Sequence, residues 1–243
     1  MSLRLLHEGK SKRVYVKNGV LVLEFKDEVT AGDGARRDLV PGKGVVNARI
    51  SAHLFSILEN AGIETHFIEY DGCRSIVVKK LDMLPLEVVV RNYAYGSLLK
   101  RLPLFKPMQR LEPPIVELHY KDDALHDPLV TEDDVLRAGI VTRQKLGEMK
   151  KLALEVNDVL SRYLAGKGLV LVDMKLEFGL DPEGRVLLAD EITGDTMRIL
   201  TRDGRHLDKE VYRRGGSPQQ LLETYLELAE KLGLKVPLDD LRC

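Results

Sequence analysis

The segment Leu171-Val-Asp-Met-Lys-Leu-Glu-Phe-Gly179 carries the clearest structural signal in this chain. Its residues alternate with a period of two, which is the side-chain alternation of a β-strand. Three charged residues occupy one face and four apolar residues the other: Asp173, Lys175 and Glu177 against Val172, Met174, Leu176 and Phe178. A charged face on such an apolar strand predicts either a ligand site or a solvated ladder of ion pairs.

This strand is predicted to form one arm of an antiparallel hairpin. Leu169–Leu180 is the first arm, Asp181-Pro-Glu-Gly184 the turn and Arg185–Glu191 the return arm. With the turn centred on Pro182-Glu183, Asp190 is expected opposite Lys175, between the two acids. Carboxylates that converge in this way repel each other unless a cation lies between them. Mg²⁺ suits that place, because it binds a few carboxylates and completes its shell with phosphate oxygens and water.

The N-terminal part of the chain is predicted to be rich in β-structure. Arg13–Lys17 and Val20–Phe25 flank Asn18-Gly19, which is a strong hairpin signal. A helix is expected over Asn47–Ala61, because its apolar residues recur at helical spacing. Two further strands are predicted, at Thr65–Tyr70 and Arg74–Lys80.

The C-terminal part is predicted to mix strands and helices. Leu86–Val90 is expected to be a strand, and residues 103–130, rich in Pro, Asp and His, an ordered loop. A long helix is predicted from Thr142 to Gly166. The last helix is well marked: Ser217 caps it, Pro218 is its first residue, Gln220 completes a capping box and Gly233 ends it.

Composition limits the classes of function. The 243 residues are 44% hydrophobic, enough for one large domain or two small lobes, and 37 basic residues nearly balance 38 acidic ones. A net charge of -1 and 5% aromatic residues argue against a nucleic-acid-binding module. We expect no membrane span and no signal peptide, because no apolar run is long enough and MSLRLLHEGK becomes charged too early.

The two cysteines, Cys73 and Cys243, are far apart in the chain and are predicted to be free thiols in a reducing compartment. We therefore expect a cytoplasmic protein. The absence of Trp, the scarcity of Asn and Gln and the abundance of Glu, Lys and Arg fit a thermophile's protein, although ordinary variation explains them equally well.

Three further segments suggest ligand contacts. Glu8-Gly-Lys-Ser-Lys12 precedes a strand and offers a glycine and two lysines to a phosphate, but it is not a Walker A loop, because Arg4 stands where that motif needs Gly. Ala31-Gly-Asp-Gly-Ala-Arg36 forms a tight turn around Asp33. Arg91 ends a strand before Gly96-Ser97, a potential helix start that suits phosphate. Taken alone, each segment also has a purely structural explanation. Residues 8–12 would be a basic turn, residues 31–36 a plain loop, and residues 91–97 a strand-to-helix connection.

Taken together, these segments resemble the phosphoribosylaminoimidazole-succinocarboxamide synthase (SAICAR synthetase) family over almost the whole chain. The matching segments occur in the family's order: the Gly-Lys-x-Lys loop at 9–12, Ala31–Arg36, Val78-Lys-Lys-Leu-Asp-Met83, Pro85-Leu-Glu…Arg91…Gly96-Ser97, Lys121-x-Asp-Ala-x-His-Asp-Pro128, Leu171–Gly179, Asp190-Glu191, Arg198 and Asp208-Lys209…Arg213. The resemblance implies an α+β, two-lobed ATP-binding fold related to ATP-grasp and kinase-like lobes, with antiparallel sheets and flanking helices. Residues 1–83 would form the β-rich ATP-binding lobe and 84–243 the larger lobe.

The resemblance also implies an activity and site roles. The enzyme would use ATP and Mg²⁺ to join carboxyaminoimidazole ribonucleotide (CAIR) to L-aspartate through an acyl phosphate. A homodimer is the family's common state. The implied roles are these: Lys10, Lys12, Lys80, Leu81 and Met83 for ATP; Asp33, Arg36, Arg91, Ser97 and Arg198 for the ribotide; Lys175 and Asp173 for catalysis; Glu177 and Asp190, with Asp173 as a further candidate, for Mg²⁺.

Three features depart from the family's pattern. Tyr95 stands where a small residue is usual, Met174 replaces an aromatic residue, and Thr193–Thr201 retains Asp195 and Arg198 but lacks the usual Trp-Asp. A related kinase or ligase with another acceptor would also need Lys10, Lys12, Glu177 and Asp190. A non-catalytic nucleotide-binding protein is the other alternative that the altered 193–201 segment motivates.

Overall fold

The computed structural model describes residues 3–32 and 34–243. The described chain forms two antiparallel sheets, joined by helices, and one short two-stranded ribbon. The five-stranded sheet has the order β1-β2-β3-β7-β6, and the ribbon pairs β4 with β5. Their bounds are β1 Arg4–Glu8, β2 Lys12–Lys17, β3 Val20–Phe25, β4 Glu28–Ala31, β5 Arg36–Leu39, β6 Phe67–Tyr70 and β7 Ser75–Val78.

The second sheet contains the strand from which the sequence analysis began. Its order is β10-β9-β8-β11-β12, and β13 pairs with the first half of β11, so that β12 and β13 share one edge of that strand. The bounds are β8 Asp82–Tyr93, β9 Arg110–Tyr120, β10 Leu129–Val130, β11 Leu169–Leu180, β12 Val186–Ala189 and β13 Met197–Thr201.

The helices cover these sheets. Their bounds are α1 Lys43–Asn60, α2 Ser97–Arg101, α3 Glu132–Arg137, α4 Arg143–Gly166, α5 Glu210–Arg213 and α6 Pro218–Leu232, with 3-10 turns at Asp123–Leu125 and Leu238–Arg242. None of the helices in the described part of the chain is long and apolar enough to cross a membrane.

The main core lies between α1, α4 and the two sheets. Helix α1 packs on β3, β6 and β7 and also contacts α4 and α6, while α4 packs on β8, β11 and β12. The apolar face of β11, from Val172 to Phe178, is buried in the sheet–helix layer. The opposite face is also withdrawn from solvent: Asp173 and Glu177 are only 5% and 3% exposed. The solvated ladder of ion pairs is therefore not what this strand forms.

Local signals predicted the hairpins and helix ends well. Asn18 and Gly19 both adopt positive φ between β2 and β3, as a tight hairpin turn requires. Thr142 accepts a hydrogen bond from the Lys145 backbone N–H at the start of α4. Ser217 and Gln220 form the expected capping box, and Gly233 takes the left-handed conformation that ends α6.

The expectation of a loop over residues 103–130 was wrong. That range contains β9, an eleven-residue strand between β8 and β10. Pro113 and Pro114 concealed it, because a proline lacks the N–H that a central strand donates. In the structure both prolines lie where the register between β8 and β9 shifts, between the pairs Arg91↔Ile115 and Tyr93↔Arg110, so that no ladder hydrogen bond is required of them.

The prediction of two free thiols was also wrong. Cys73 and Cys243 form a disulfide, with their Cα atoms 5.8 Å apart and a sequence separation of 170. The C-terminal 3-10 turn folds back onto α1, where Arg49 Nη2 donates to Asp240 Oδ2 at 3.0 Å. This return of the chain brings the last residue to the β6–β7 turn, and sequence distance gives no sign of it.

Candidate active site

Two cavities open between the sheets and meet. The first, about 440 Å³, extends from the five-stranded sheet to the charged face of β11, and the second, about 390 Å³, lies over the C-terminal half of β8 and the start of α2. Among the described residues, these line both cavities: Lys10, Thr30, Glu87, Asp127, Lys175, Asp195, Thr196 and Lys209. We call the place where these residues lie the junction.

The first cavity is apolar at one end and charged at the other. Alternating side chains of the five-stranded sheet and of the connection to β8 form the apolar end: Val14, Leu21, Leu23, Val78, Leu81 and Met83. The Gly9–Lys12 loop closes the charged end. It is a turn between β1 and β2 in which the Gly9 N–H donates to the Lys12 carbonyl at 2.8 Å. An apolar end that leads to lysines suits a base and its phosphates.

A dense group of opposite charges forms the floor of the charged end. Lys12 Nζ lies 2.9 Å from Asp190 Oδ1 and also binds Glu191. Lys175 Nζ lies between Glu87 and Glu177, at 3.4 Å from Glu177 Oε1, and Lys121 binds the other oxygen of Glu177. We call this group, Lys12, Lys121, Lys175, Glu177 and Asp190, the open cluster, because it faces the cavity.

The pKa values show that the two acids of the open cluster oppose each other. Burial raises the pKa of Glu177, and the charge of Asp190 raises it further, against Lys175 and Lys121. Burial also disfavours the charge on Asp190, but Lys12, Lys175 and Lys121 together hold its pKa below the usual range. Although burial acts against it, the pKa of Lys175 is raised by Glu177 and Glu87, so Lys175 stays cationic.

Asp190 reaches this place by a different route from the one predicted. Glu177 pairs with Ala189, which is one residue away from the register that places Asp190 opposite Lys175. Residues 181–185 form a five-residue connection, held by Asp181 Oδ1 accepting from the Arg185 N–H at 2.7 Å. A one-residue shift turns a strand residue to the other face. However, β12 ends at Ala189, and Asp190, with φ 61°, redirects its side chain toward Lys12.

Arginines and acids form the polar wall of the second cavity. Asp173 Oδ2 accepts from Arg91 Nη1 at 3.2 Å and from Arg198 Nη1 at 2.8 Å. Arg91 Nη2 also donates to Ser97 Oγ at 2.9 Å and pairs with Glu117. Arg91 is 3% exposed and held by three partners, whereas Arg198 is more open. An anion in this cavity would therefore meet Arg198 more directly.

Tyr95 extends this wall. Its hydroxyl bonds with His206 Nε2 at 2.8 Å, and His206 Nδ1 lies 2.8 Å from Asp208 Oδ2. Arg214 also donates to the Tyr95 hydroxyl, and the Arg198 guanidinium lies 5.4 Å from the ring centre. Gly96 has a φ of 57°, which strains any residue with a side chain, and a Cβ there would lie 2.9 Å from Arg198 Nη2 and displace it.

Comparison with known proteins identifies this arrangement. The family model described as SAICAR synthetase matches residues 5–228. The chain belongs to the SAICAR synthetase family. The resemblance seen in the sequence is confirmed, and with it the α+β fold and the ligase class.

Relatives and solved structures agree over nearly their whole lengths. Phosphoribosylaminoimidazole-succinocarboxamide synthase from Caldivirga maquilingensis is 51% identical over 232 residues, covering 95% of this chain and 96% of the relative. The enzyme of that name from Pyrobaculum calidifontis is 47% identical over 228 residues, covering 94% of both. A structure of SAICAR synthetase (Type-2) in complex with ADP superposes with a TM-score of 0.90 at 44% identity, covering 98% of this chain and all of that one. The Ehrlichia chaffeensis enzyme gives 0.91 at 36% identity, covering 96% and 100%.

Most residues expected from the SAICAR synthetase pattern line one of the two cavities. Lys12, Leu81, Met83, Glu177 and Asp190 line the first, Asp173, Arg91, Ser97 and Arg198 the second, and Lys10 and Lys175 both. Lys80 is exposed and does not line the first cavity, although Lys79 and Leu81 on either side of it do. Asp33 lies outside the described residues.

Arg36 is not brought into either cavity. Its guanidinium stacks 3.9 Å above the Tyr212 ring and donates to the carbonyl oxygens of Tyr212 and Gly216, at 3.1 and 2.9 Å. The expectation that Arg36 shapes the substrate pocket is therefore corrected: it anchors β5 to the segment around α5. The sequence showed only an arginine beside a tight turn. Such an arginine could either bind substrate or anchor the strand, so the pattern did not distinguish these two roles.

The helix start expected at Gly96-Ser97 is not capped by Ser97. Gly96, not Ser97, is the N-cap of α2, and no side chain caps this five-residue helix. The Ser97 hydroxyl instead accepts from Arg91. Ser97 also lines the second cavity beside Arg91, so its contact with the ribotide stays a prediction.

Sequence reasoning gave no role to several residues that line the two cavities. Glu87, Lys121, Asp195 and Lys209 all stand in segments that match the family, but their neighbours become visible only in the fold. Asp195 accepts from Lys43, Asn47 and Tyr225, which come from α1 and α6. Because those partners are separated from it by up to 152 residues, no local pattern pointed to them.

Proposed function

We propose that this chain is an ATP-dependent ligase of purine biosynthesis that joins CAIR to L-aspartate, giving SAICAR, ADP and phosphate. The observation that carries the proposal is the junction: a cavity with an apolar end and a lysine-lined end meets an arginine-walled cavity at shared lysines and carboxylates. A phosphoryl group leaving the first cavity would meet a carboxylate held in the second. Relatives 51% and 47% identical carry the name of this activity.

The nucleotide would lie in the first cavity. Leu81 and Met83 border the apolar end and suit the adenine, while Lys10 and Lys12 border the charged end and suit the phosphates. Lys10 is exposed and bound to Asp123 at 2.7 Å, so it is free to exchange that partner for a phosphate oxygen. Lys12 is buried and fixed by Asp190 and Glu191, and would act from a set position.

Glu177 and Asp190 would hold Mg²⁺ at the charged end. Their donor set fits, because two buried carboxylates raise the energy of each other's charge and Mg²⁺ is bound by one or two carboxylates together with substrate phosphates. Within residues 3–32 and 34–243 no group of three or more His, Cys, Asp or Glu is arranged to hold a metal. Bound Mg²⁺ would neutralise charge on the transferring phosphoryl group.

The ribotide would lie in the second cavity. Arg198 would meet its anionic groups, and Arg91 would act through Ser97 and Asp173, which it holds. Asp173, expected to be catalytic, is bound by two arginines, and we assign it to positioning them. The two sheets would then act as the two lobes predicted from the sequence, with residues 1–83 on the ATP side and 84–243 on the ribotide side.

The chemistry follows from the poor reactivity of a carboxylate. One oxygen of the CAIR carboxylate attacks the γ-phosphorus of ATP, ADP leaves, and an acyl phosphate forms. The aspartate amine then attacks the acyl carbon and displaces phosphate. Lys175, which stays cationic at the junction, stabilises the charge on the transferring group in both steps.

ADP release tests this function. Purified protein with ATP and Mg²⁺ should release ADP quickly only when both CAIR and L-aspartate are present. A kinase with another acceptor would not need the pair, and a protein that only binds nucleotide would release none under any condition. ATP binding without ADP release from the pair, also at elevated temperature, would overturn the proposal.

The remaining predictions concern setting. We propose a cytoplasmic location, because the substrates are soluble metabolites, although the argument from free thiols no longer supports it. A homodimer stays a prediction, which light scattering measures; Leu5 and Leu6 on the exposed edge strand β1 offer apolar surface for it. The composition and the disulfide between Cys73 and Cys243 support a protein adapted to high temperature.

A further inference from the structure

Lys209 occupies the junction with an incomplete set of partners. Its side chain lines both cavities and is 17% exposed. Within the described part of the chain, its Nζ forms an ion pair with Asp195 Oδ1 at 3.7 Å, which is longer than a hydrogen bond. Lys175, in contrast, is bound by Glu87 and Glu177 at the same junction.

Other groups already occupy Asp195. Its Oδ2 accepts from Lys43 Nζ at 2.9 Å and from Asn47 Nδ2 at 2.8 Å, and its Oδ1 accepts from the Tyr225 hydroxyl at 2.9 Å. The carboxylate is therefore satisfied without Lys209. Lys209 is thus placed beside a negative charge that it does not neutralise alone.

Charges on three neighbouring parts of the chain act on Lys209. Asp195 and Glu191, in the segment between β12 and β13, favour its cationic form, while Lys43 of α1 and Arg213 of α5 oppose it. Burial is the largest influence, and the pKa of Lys209 is lowered. The pKa of Lys175 is raised instead, because Glu177 and Glu87 outweigh burial there. Of these two junction lysines, Lys209 is the one whose surroundings disfavour the cationic form.

The proposed reaction needs such a group. L-aspartate is bound as an ammonium ion, which has no lone pair, so a proton must leave before nitrogen can attack the acyl phosphate. A base near the operating pH is the most effective acceptor for that proton. The carboxylates at the junction are poorly suited: Asp195 is satisfied and has a lowered pKa, Glu87 is bound to Lys175, and Asp127 accepts from the Asp122 backbone N–H.

We propose that Lys209 Nζ is the general base that deprotonates the ammonium group of L-aspartate at the junction. The inference rests on the ligase function proposed above. Neutral Lys209 takes one proton and becomes an ammonium, leaving the aspartate amine free. The C–N bond then forms, the C–O bond to phosphate breaks, and the second nitrogen proton leaves on the departing phosphate. Lys209 returns its proton to solvent before the next cycle.

Lys209→Arg separates a base from an anion-binding cation. Arginine is always protonated, so it cannot accept a proton from aspartate. It would still bind a carboxylate or phosphate as a cation. We expect kcat/KM for L-aspartate to fall about 100-fold or more, in line with the usual contribution of a general base. The KM for ATP should stay within about threefold. Near-normal aspartate turnover in Lys209→Arg would overturn the proposal.

Hydroxylamine supplies a nucleophile that is already unprotonated at neutral pH. With CAIR, ATP and Mg²⁺, hydroxylamine should release ADP and form the hydroxamate at similar rates in the unmodified enzyme and in Lys209→Arg. If the rates of Lys209→Arg with L-aspartate and with hydroxylamine fall equally, Lys209 acts in phosphoryl transfer or in folding instead, and the proposal is wrong. If the unmodified enzyme makes no hydroxamate but still makes SAICAR, that result contradicts the proposed acyl phosphate intermediate and not the proposed role of Lys209.

The pH profile gives a third readout. In the unmodified enzyme, kcat/KM for L-aspartate should rise with pH and level off above the pKa of Lys209. In Lys209→Arg it should keep rising until the amine of free aspartate titrates. Lys151→Arg, on the exposed face of α4, is the matched control and should leave the profile unchanged. Identical profiles for all three proteins would overturn the proposal.

Discussion

Two buried clusters of charged residues in this protein contain the same residue types but have different roles. The open cluster of Lys12, Lys121, Lys175, Glu177 and Asp190 faces a cavity, and burial together with Asp190 raises the pKa of Glu177. A second group, which we call the closed cluster, joins Asp195 to Lys43, Asn47 and Tyr225. There, although burial opposes ionisation, Lys43 and Lys209 hold the pKa of Asp195 well below its usual range.

The difference lies in how completely each charge is satisfied. Asp195 accepts hydrogen bonds from three side chains on two helices, so its charge is satisfied within the protein and stabilises the fold. Glu177 has Asp190 as a neighbour of like charge, so part of its environment remains unfavourable until a cation or ligand arrives. Buried charge that is satisfied stabilises a structure, and buried charge that is unsatisfied marks a binding site.

The largest expected effect concerns the closed cluster. Asp195→Asn leaves Lys43, 1% exposed, as an unpaired buried charge, and should lower the free energy of unfolding by about 3–5 kcal/mol. Denaturant titration measures it. The double variant Lys43→Met with Asp195→Asn should recover most of the loss, because no unpaired charge remains. An Asp195→Asn protein as stable as the unmodified one would remove the distinction between the clusters.

The same variant should alter the response to acid. Because the folded-state pKa of Asp195 is depressed, its stabilising contribution is complete above the ordinary Asp pKa. That contribution is lost as pH falls from there through the lower folded-state value. Asp195→Asn should therefore lose less stability on acidification than the unmodified protein, in unfolding curves measured across that range.

The open cluster should respond in the opposite way. Glu177→Gln removes one of two repelling carboxylates, so the melting temperature should stay unchanged or rise. ADP release should nevertheless fall by about 100- to 1000-fold, the range seen when charge stabilisation at a reacting centre is lost. Glu155→Gln on the surface of α4 is the control, expected to change neither quantity. A Glu177→Gln protein that unfolds more easily would place this residue with the closed cluster.

The disulfide is expected to affect stability, as the closed cluster does, but by a smaller amount. Its C-terminal end packs on α1, which carries Lys43 and Asn47 of the closed cluster. Cys243→Ser should lower the free energy of unfolding by about 2–4 kcal/mol, because a long loop is no longer closed in the unfolded chain. Activity at moderate temperature should be unchanged. Cys73→Ser should have the same effect, and combining the two should add nothing further.

The smallest expected effect concerns Tyr95. Tyr95→Phe removes the hydroxyl that binds His206 and Arg214 but keeps the ring beside Arg198. We expect the KM for the ribotide to rise about tenfold, equal to about 1.4 kcal/mol, because the wall holding Arg198 loosens. The KM for ATP should not change. An equal rise in both KM values would show a general loss of structure instead.

Local chemistry explains why much of the fold could be predicted. Alternation fixed β11, Asn18-Gly19 fixed the first hairpin, and Ser217, Pro218 and Gln220 fixed the start of α6, because each signal acts within a few residues. Strand β9 was missed because its prolines contradict strand propensity, and only the neighbouring strands show where the register allows them. The hairpin register was off by one residue because the turn was shorter in prediction than in fact.

The sequence by itself determined which residues carry charge on β11, where most strands and helices run, and the order of segments that resembles the family. The tertiary structure decided which of those charges are satisfied. Asp195 meets α1 and α6, Arg36 turns away onto Tyr212, and Cys243 reaches Cys73, all through contacts between distant parts of the chain. Hydrogen bonding and desolvation depend on such contacts, so the role of a buried charge is a property of the packed molecule and not of its local sequence.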